Sequence, residues 1–169
     1  MSVAVRRKNP VETAAQSLGE TKVPKAGTRN ALSSSVHIFV AEADDDLRAE
    51  IAASLQHEGR YVVECADGPT LFVELEHRVA HPGARRSLVI AQARLPGLSA
   101  LRILHSLRQL DIQIPMILMT RSQESTLQDL AERAGASAIL RKPIQMYQLR
   151  RAVAAVIENV PQGSSPSPG

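Results

Sequence analysis

The sequence predicts a doubly wound α/β domain built on a five-stranded parallel sheet. Five short apolar runs alternate with segments of helical period, and each run is too short to form a helix of its own. Most of the runs are rich in β-branched residues, which is typical of strands buried on both faces of a parallel sheet. Right-handed crossovers then place helices on both sides. The predicted strands are residues 36–40, 61–65, 88–91, 116–120 and 137–140.

Apolar stripes predict the helices between these strands. After the first strand, Leu47, Ile51 and Leu55 recur every four residues along one helical face. The prediction of the next helix depends on Leu71 and Leu75, which follow an Asp-Gly-Pro sequence at the helix start. The other stripes are Leu101, Ile103, Leu104 and Leu107; Leu127, Leu130, Ala131 and Ala134; and Leu149, Val153, Val156, Ile157 and Val160.

Residues 36–160 form the one predicted domain of the 169-residue chain. Residues 1–35 mix Gly, Pro, Ser, Thr and charges without apolar periodicity, so we expect a disordered leader. Residues 161–169 are rich in Pro and Ser and predict a disordered tail. The leader holds six Lys or Arg residues against two Glu residues, whereas the net charge of the whole chain is +3. The basic excess therefore belongs to the leader, and we expect no direct nucleic-acid binding by the nearly neutral domain.

The amino-acid composition limits which cellular compartment and which functional classes are expected for the protein. Aromatic residues make up 2% of the chain, so the stacking platforms of single-strand nucleic-acid binders are not expected. No apolar run reaches the roughly 18 residues that a membrane-spanning helix requires. Cys65 is the single cysteine, which excludes an intrachain disulfide and makes a reducing cytoplasm the expected location.

Polar residues follow the predicted strands at their carboxyl ends. In a doubly wound sheet the functional crevice lies beyond these ends, where the strand order reverses. Glu42, Asp44, Asp45 and Asp46 follow the first strand. Carboxylates in the first turn of a helix interact favourably with its dipole, so helix capping explains most of this cluster. A site for a hard cation such as Mg²⁺ is the alternative interpretation.

Further motifs lie in a fixed order along the chain. They are the acidic cluster followed by Leu47-Arg48, the loop Leu95-Pro96-Gly97, Thr120, Ala134-Gly135-Ala136 and Lys142-Pro143. Together they make residues 36–160 resemble the receiver domain of two-component response regulators, a flavodoxin-like (βα)5 fold. The resemblance implies phosphotransfer from a histidine kinase to an Asp at the end of the third strand. It also implies that Mg²⁺ bridges the phosphoryl group to an acidic pair, while a Thr or Ser and a Lys contact its oxygens.

The chain departs from the family's pattern at the positions that carry this chemistry. By the resemblance, the phosphoacceptor position holds Gln92 and the main metal-binding acidic position holds Ala43. An amide has no carboxylate to form an acyl phosphate, so acceptor chemistry is not possible at position 92. Arg94 stands where a backbone carbonyl would bind the metal. Arg121 replaces the usual small residue after the Thr, and Ile139 replaces the switch aromatic.

These departures predict a degenerate phosphoacceptor pocket that works without a metal or another cofactor. Lys142 is expected to pair with Glu42 or Asp44 in place of Mg²⁺ and phosphate, with Arg94 as an additional candidate cation. The pocket residues are Glu42, Ala43, Asp44, Gln92, Arg94, Thr120 and Lys142. The predicted function is that of a pseudo-receiver, which acts in a phosphorelay by phosphorylation-independent protein–protein interaction and is not an enzyme.

The resemblance also implies a partner surface on the fourth helix, fifth strand and fifth helix. Its residues here would be Arg141, Tyr147, Gln148, Arg150 and Arg151, although a solvated helix surface is an equal interpretation. The expected partner is a signalling protein such as a histidine kinase or another regulator, or a second copy of the chain.

Two alternatives belong to other functional classes. A phosphoaccepting regulator could use a displaced residue such as Asp44, Asp45 or Ser99, provided that a metal and in-line geometry are available. The Glu42-x-Asp44 pattern is faintly similar to that of haloacid-dehalogenase-type phosphatases, but their cap insertions are missing. Cys65 lies within the second predicted strand and is expected in the core, and the five histidines are expected to be incidental.

Overall fold

The computed structural model describes residues 36–81, 86–121 and 125–159, in which five strands alternate with five helices. The strands are β1 (Val36–Ala41), β2 (Tyr61–Cys65), β3 (Arg86–Gln92), β4 (Met116–Thr120) and β5 (Ala138–Arg141). The helices are α1 (Asp45–His57), α2 (Gly68–Ala80), α3 (Ala100–Gln109), α4 (Ser125–Arg133) and α5 (Met146–Asn159). The predicted leader and tail, together with Val160, lie outside the described residues.

The five strands form one parallel sheet in the order β2-β1-β3-β4-β5. The chain adds β2 on one side of β1 and then crosses to the other side for β3. Ala41 at the end of β1 pairs with Ala91 in β3, so the residues that follow these two positions are neighbours. The predicted doubly wound fold is confirmed, and the crevice at the switch point lies beyond β1 and β3.

The strand boundaries follow the apolar runs with small differences. β2 and β4 have the predicted bounds. β3 is longer than its apolar run because it includes Arg86 and Ser87 at one end and Gln92 at the other. β5 begins and ends one residue later than predicted. Polar residues at strand ends pair in the sheet like apolar ones, and an apolar-run criterion omits them.

Both faces of the sheet are covered by apolar layers, as alternation along the strands requires. One layer contains residues of α2, α3 and α4, namely Leu71, Leu75, Ile103, Leu104, Leu107 and Ala131. The other contains residues of α1 and α5, namely Ile51, Leu55, Leu149, Val153, Val156 and Ile157. Within β1, Phe39 belongs to the first layer, and Ile38 and Val40 belong to the second.

Side-chain caps begin three of the helices. Asp44, Asp67 and Ser99 each accept a hydrogen bond from the backbone N–H three residues later, at the start of α1, α2 and α3 respectively. Asp44 therefore has the capping role expected from the sequence. Among the helices of the described residues, none combines the length and apolar character required to cross a membrane.

The predicted apolar stripe of α4 is wrong at Leu130, whose side chain is 52% exposed. Leu127 and Ala131 are one turn apart and occupy the buried face of the helix. Leu130 falls beside that face and not on it, because the helix advances by less than a full turn between positions 127 and 130.

Candidate functional site

Four polar residues converge at the carboxyl edge of the sheet. Glu42 follows β1 directly, Gln92 ends β3, Thr120 ends β4 and Lys142 follows β5. Thr120 is buried, and its carbonyl accepts a hydrogen bond from the backbone N–H of Lys142 at 2.8 Å. Since these strands are adjacent, the strand order brings the core of the predicted pocket together.

A buried ion pair joins the first and last elements of the pocket. Nζ of Lys142 lies 2.6 Å from Oε2 of Glu42, which is fully buried, and the Lys142 side chain is 8% exposed. The other carboxylate oxygen of Glu42 accepts a hydrogen bond from the backbone N–H of Asp44 at 3.1 Å. Both carboxylate oxygens thus have donors, which offsets part of the cost of burying the charge. The peptide bond that follows, Lys142–Pro143, is cis.

The Gln92 amide bridges the two loops that flank the crevice. Its Oε1 accepts a hydrogen bond from the backbone N–H of Ala43 at 3.4 Å, and its Nε2 donates to the carbonyl of Arg94 at 3.0 Å. The first bond reaches the loop after β1 and the second holds the loop after β3. A carboxylate at this position could make the first contact but not the second, since an ionised carboxylate has no donor.

The acidic cluster after β1 is engaged in local structure. Oδ1 of Asp44 accepts the α1 cap hydrogen bond, and Asp45 pairs with Arg48 at 2.7 Å while its side chain stays 84% exposed. Nη1 of Arg48 also donates to the carbonyl of Glu42 at 2.8 Å. From the sequence, Arg48 was predicted only as part of the Leu47-Arg48 motif. Its position three residues after Asp45, on the same helical face, was the signal for a bridging role.

The remaining pocket residues lie at the rim of the crevice. Ala43 is exposed and has a methyl group where the resemblance places an acidic side chain. Arg94 and Arg121 both have exposed side chains. The backbone carbonyl of Arg94 accepts the hydrogen bond from Nε2 of Gln92. Over residues 36–81, 86–121 and 125–159, no three His, Cys, Asp or Glu side chains stand in position to hold a metal ion.

The described part of the chain has one buried carboxylate, that of Glu42. The crevice therefore combines this anion with the Lys142 cation and the neutral amide of Gln92. We also compared the sequence with models of known protein families, and the result agrees with this fold and crevice. Residues 38–154 match the response regulator receiver domain.

The chain belongs to the response regulator receiver domain family. It is 28% identical over 121 residues to the uncharacterized transcriptional regulatory protein YkoG of Bacillus subtilis, covering 72% of this chain and 50% of that protein. It is 28% identical over 125 residues to the response regulator protein TodT of Pseudomonas putida, covering 74% and 53% respectively. The chain thus spans about half the length of the curated relatives it matches.

Solved receiver structures show the same fold. The receiver domain of the Francisella response regulator 1452 superposes with a TM-score of 0.65 at 17% identity, covering 74% of this chain and 98% of that one. The chemotaxis response regulator CheY4 of Vibrio cholerae gives a TM-score of 0.62 at 16% identity, with 72% and 98% covered. As a receiver domain, the chain is a module of two-component signalling.

The partner surface predicted for this receiver domain is divided in the structure. Arg141, Tyr147 and Arg151 are exposed, and Arg141 donates to Oε1 of Gln128 on α4 at 3.3 Å. Arg150 instead points to α1. There its Nη1 donates to Ser54 Oγ at 3.1 Å, and its Nε lies 3.6 Å from Glu58 Oε1. Arg150 therefore links α5 to α1.

Proposed function

We propose that this receiver domain acts without phosphorylation, as a cytoplasmic pseudo-receiver that works by protein–protein interaction in a two-component phosphorelay. The observation that carries the proposal is the Gln92 amide, which accepts from the Ala43 N–H and donates to the Arg94 carbonyl. The amide thereby fixes two crevice loops without a metal ion or a phosphoryl group.

The nucleophile required for phosphotransfer is missing at Gln92. The reaction in receivers needs a carboxylate oxygen that attacks phosphorus and becomes an acyl phosphate. The amide nitrogen of Gln92 is committed as a donor, and its oxygen accepts from a backbone N–H. Neither atom can form the mixed anhydride.

The crevice also does not fit Mg²⁺, which takes six oxygen ligands in near-octahedral geometry. Ala43 offers no side-chain oxygen, and Nε2 of Gln92 directs a hydrogen atom toward the Arg94 carbonyl. Glu42 is already satisfied by Lys142 and by the Asp44 N–H. We infer that the lysine supplies the positive charge that Mg²⁺ supplies in a phosphoaccepting receiver.

The displaced-acceptor alternative is less well supported by the geometry. Asp44 is occupied in capping α1, and Ser99 caps α3 through a hydrogen bond of 3.3 Å from the Arg102 N–H. Asp45 is exposed and paired with Arg48. None of the three combines a shielded position with the charge neutralisation that phosphoryl transfer uses.

The two functions are separated by incubation with acetyl phosphate and Mg²⁺, followed by intact mass spectrometry. We expect the wild-type chain to keep its mass. A gain of one phosphoryl group would overturn the proposal, and peptide mapping would then locate the displaced acceptor. Asp44→Asn and Asp45→Asn variants serve as matched controls, since each removes one candidate carboxylate with little change in size.

The proposed partner is a histidine kinase or another regulator, with a second copy of the chain as the homodimer alternative, and we expect no direct nucleic-acid binding. The proposed surface keeps Arg141, Tyr147 and Arg151 and omits Arg150, whose side chain binds α1. Capture of partners from the host by the Arg151→Glu variant is expected to fall relative to wild type. Arg102→Glu, an exposed charge reversal on α3, is the control. Equal capture by both variants would exclude this surface.

A further inference from the structure

A second cavity lies at the opposite edge of the sheet from the Glu42 crevice, and its lining combines histidine and charged side chains with apolar ones. It has a volume of about 390 Å³ and lies between α2 and the amino ends of β1 and β2. His37 of β1 and Tyr61 of β2 are register partners on its floor, with ring centroids 4.5 Å apart. Three of the five histidines in the chain line this cavity, namely His37, His77 and His81.

Two of these histidines are held one helical turn apart. The rings of His77 and His81 have centroids 4.6 Å apart and an interplanar angle of 30°. The backbone N–H of His81 still donates to the carbonyl of His77 at 3.2 Å, so the helical spacing extends to position 81. Side chains at i and i+4 share one face of a helix, which is the spacing at which two imidazoles can bind one ion.

A hydrogen bond selects the ligand atom of His81. Its Nδ1 lies 3.1 Å from the carbonyl oxygen of His77, a contact in which Nδ1 carries the proton and donates. The lone pair of the neutral ring is then on Nε2. Histidines that bind metals commonly donate their other ring N–H to a carbonyl or carboxylate in this manner, which fixes the tautomer and ring orientation.

We propose that His77 and His81 form a chelating site for a divalent transition cation such as Zn²⁺, Ni²⁺ or Cu²⁺. Imidazole nitrogen is a preferred ligand for these ions, at about 2.0–2.1 Å. Both side chains are exposed, so an ion reaches them without unfolding. Two imidazoles do not amount to a closed structural site, and water fills the remaining coordination positions.

The neighbouring charges are compatible with a cation. Glu74 lies on the same face of α2, three residues before His77, and its carboxylate lines the same cavity, where it adds a negative charge near the two imidazoles. Arg78 also lines the cavity. However, its Nε donates to Ser87 Oγ at 3.0 Å and its Nη1 to the His81 carbonyl at 2.9 Å. The Arg78 guanidinium is thus engaged by the Ser87 hydroxyl and by the backbone carbonyl of His81.

The test is a calorimetric titration of the untagged chain with Ni²⁺ and with Zn²⁺. We expect one ion per chain and weaker binding in mild acid, where protons compete for the imidazoles. His77→Gln and His81→Gln are each expected to weaken binding by more than about tenfold, since the loss of outer-shell partners alone costs that much. His105→Gln, an exposed histidine on α3, is the matched control and should bind as wild type does.

Paramagnetic broadening of amide NMR signals by Cu²⁺ locates the ion independently of these variants. Signals from the end of α2 and from Tyr61 should broaden first. Broadening centred on Glu42 and Asp44, or on His105, would overturn the proposal, as would unchanged affinity in folded His77→Gln and His81→Gln variants. Circular dichroism spectra of each variant establish that it is folded.

Discussion

Nζ of Lys142 lies 2.6 Å from Oε2 of Glu42 in a pair that is almost fully shielded from water. The pair links the residue after the interior strand β1 to the residue after the edge strand β5. Its anion and cation neutralise each other within the crevice. The energetic balance of such a pair is asymmetric, because an unpaired buried charge costs more than the pair contributes.

Removing either partner of this pair should destabilise the fold strongly. Glu42→Gln or Lys142→Met alone is expected to lower the free energy of unfolding by about 3–5 kcal/mol, because one charge remains buried without its counter-ion. The double variant should lose much less than the two single losses combined. Urea denaturation measures all three. Asp45→Asn, which breaks an exposed pair with Arg48, is the control and should cost about 1 kcal/mol or less. Additive losses in the double variant would show that the charges are not coupled.

Restoring carboxylates to the crevice should make stability depend on Mg²⁺. In Ala43→Asp/Gln92→Asp, the donor to the Arg94 carbonyl is lost and carboxylates gather near Glu42. We expect a loss of about 0.5–1.5 kcal/mol without metal from the missing hydrogen bond, and a further loss from repulsion between the carboxylates. Millimolar Mg²⁺ should recover part of that loss by binding the folded state.

Thermal melting with and without Mg²⁺ measures this effect. The wild-type midpoint should not respond to millimolar Mg²⁺. Ala53→Asp places one carboxylate on an exposed position of α1, away from the crevice, and should not respond either. A wild-type midpoint that rises with Mg²⁺ would contradict the metal-independent pocket.

The sequence predicted the fold better than it predicted side-chain directions. The apolar run of β4 gave its bounds correctly, because burial on both faces leaves a continuous apolar signal. The bounds of β2 were also predicted correctly, although this edge strand exposes Tyr61 and Glu64. The pairing of Lys142 with Glu42 was one of the predicted arrangements, since both residues follow strands that end at one edge. The direction of Arg150 could not be predicted. It depends on how α5 packs against α1, which is a tertiary contact that a helical period does not encode.

The Cys65 thiol should be unreactive in the folded chain. Burial, followed by the nearby Glu74 and Asp67 carboxylates, raises its pKa from 9.0 to about 12. Because the folded state holds the proton more tightly than the unfolded state, the stability that this provides is complete below pH 9 and is lost as pH rises toward about 12. A thiol reagent at pH 8 should therefore label the chain only after denaturation.

The pH dependence of unfolding provides the second measurement for Cys65. Other groups also titrate in alkali, so the informative quantity is the difference between wild type and Cys65→Ala. Wild type should lose more stability between pH 9 and pH 11 than the variant does. Parallel profiles, or rapid labelling of the folded chain, would show that the thiol is not shielded.

Among the glycines that the structure describes, Gly68 is the one at which an added methyl group would meet the closest backbone atoms. A Cβ atom there would lie 1.8 Å from the carbonyl oxygen of Leu98, and the Gly68 N–H donates to the Pro96 carbonyl at 3.0 Å. The start of α2 is therefore in backbone contact with the loop after β3, which holds one side of the crevice. Gly68→Ala is expected to cost about 3 kcal/mol or more, because backbone must move to admit the methyl group.

Gly59→Ala is the matched control for this prediction. Gly59 has a φ of +76° but no atom within 4 Å of an added Cβ, so alanine there meets backbone strain without a clash. Its cost should be about 1–2 kcal/mol. Urea denaturation of both variants separates the two effects. Gly68→Ala should also shift the amide NMR signals of Leu98 and Gln92, whereas Gly59→Ala should leave them in place. Equal costs for both glycines, with no change at Leu98, would show that the two loops are not in contact at Gly68.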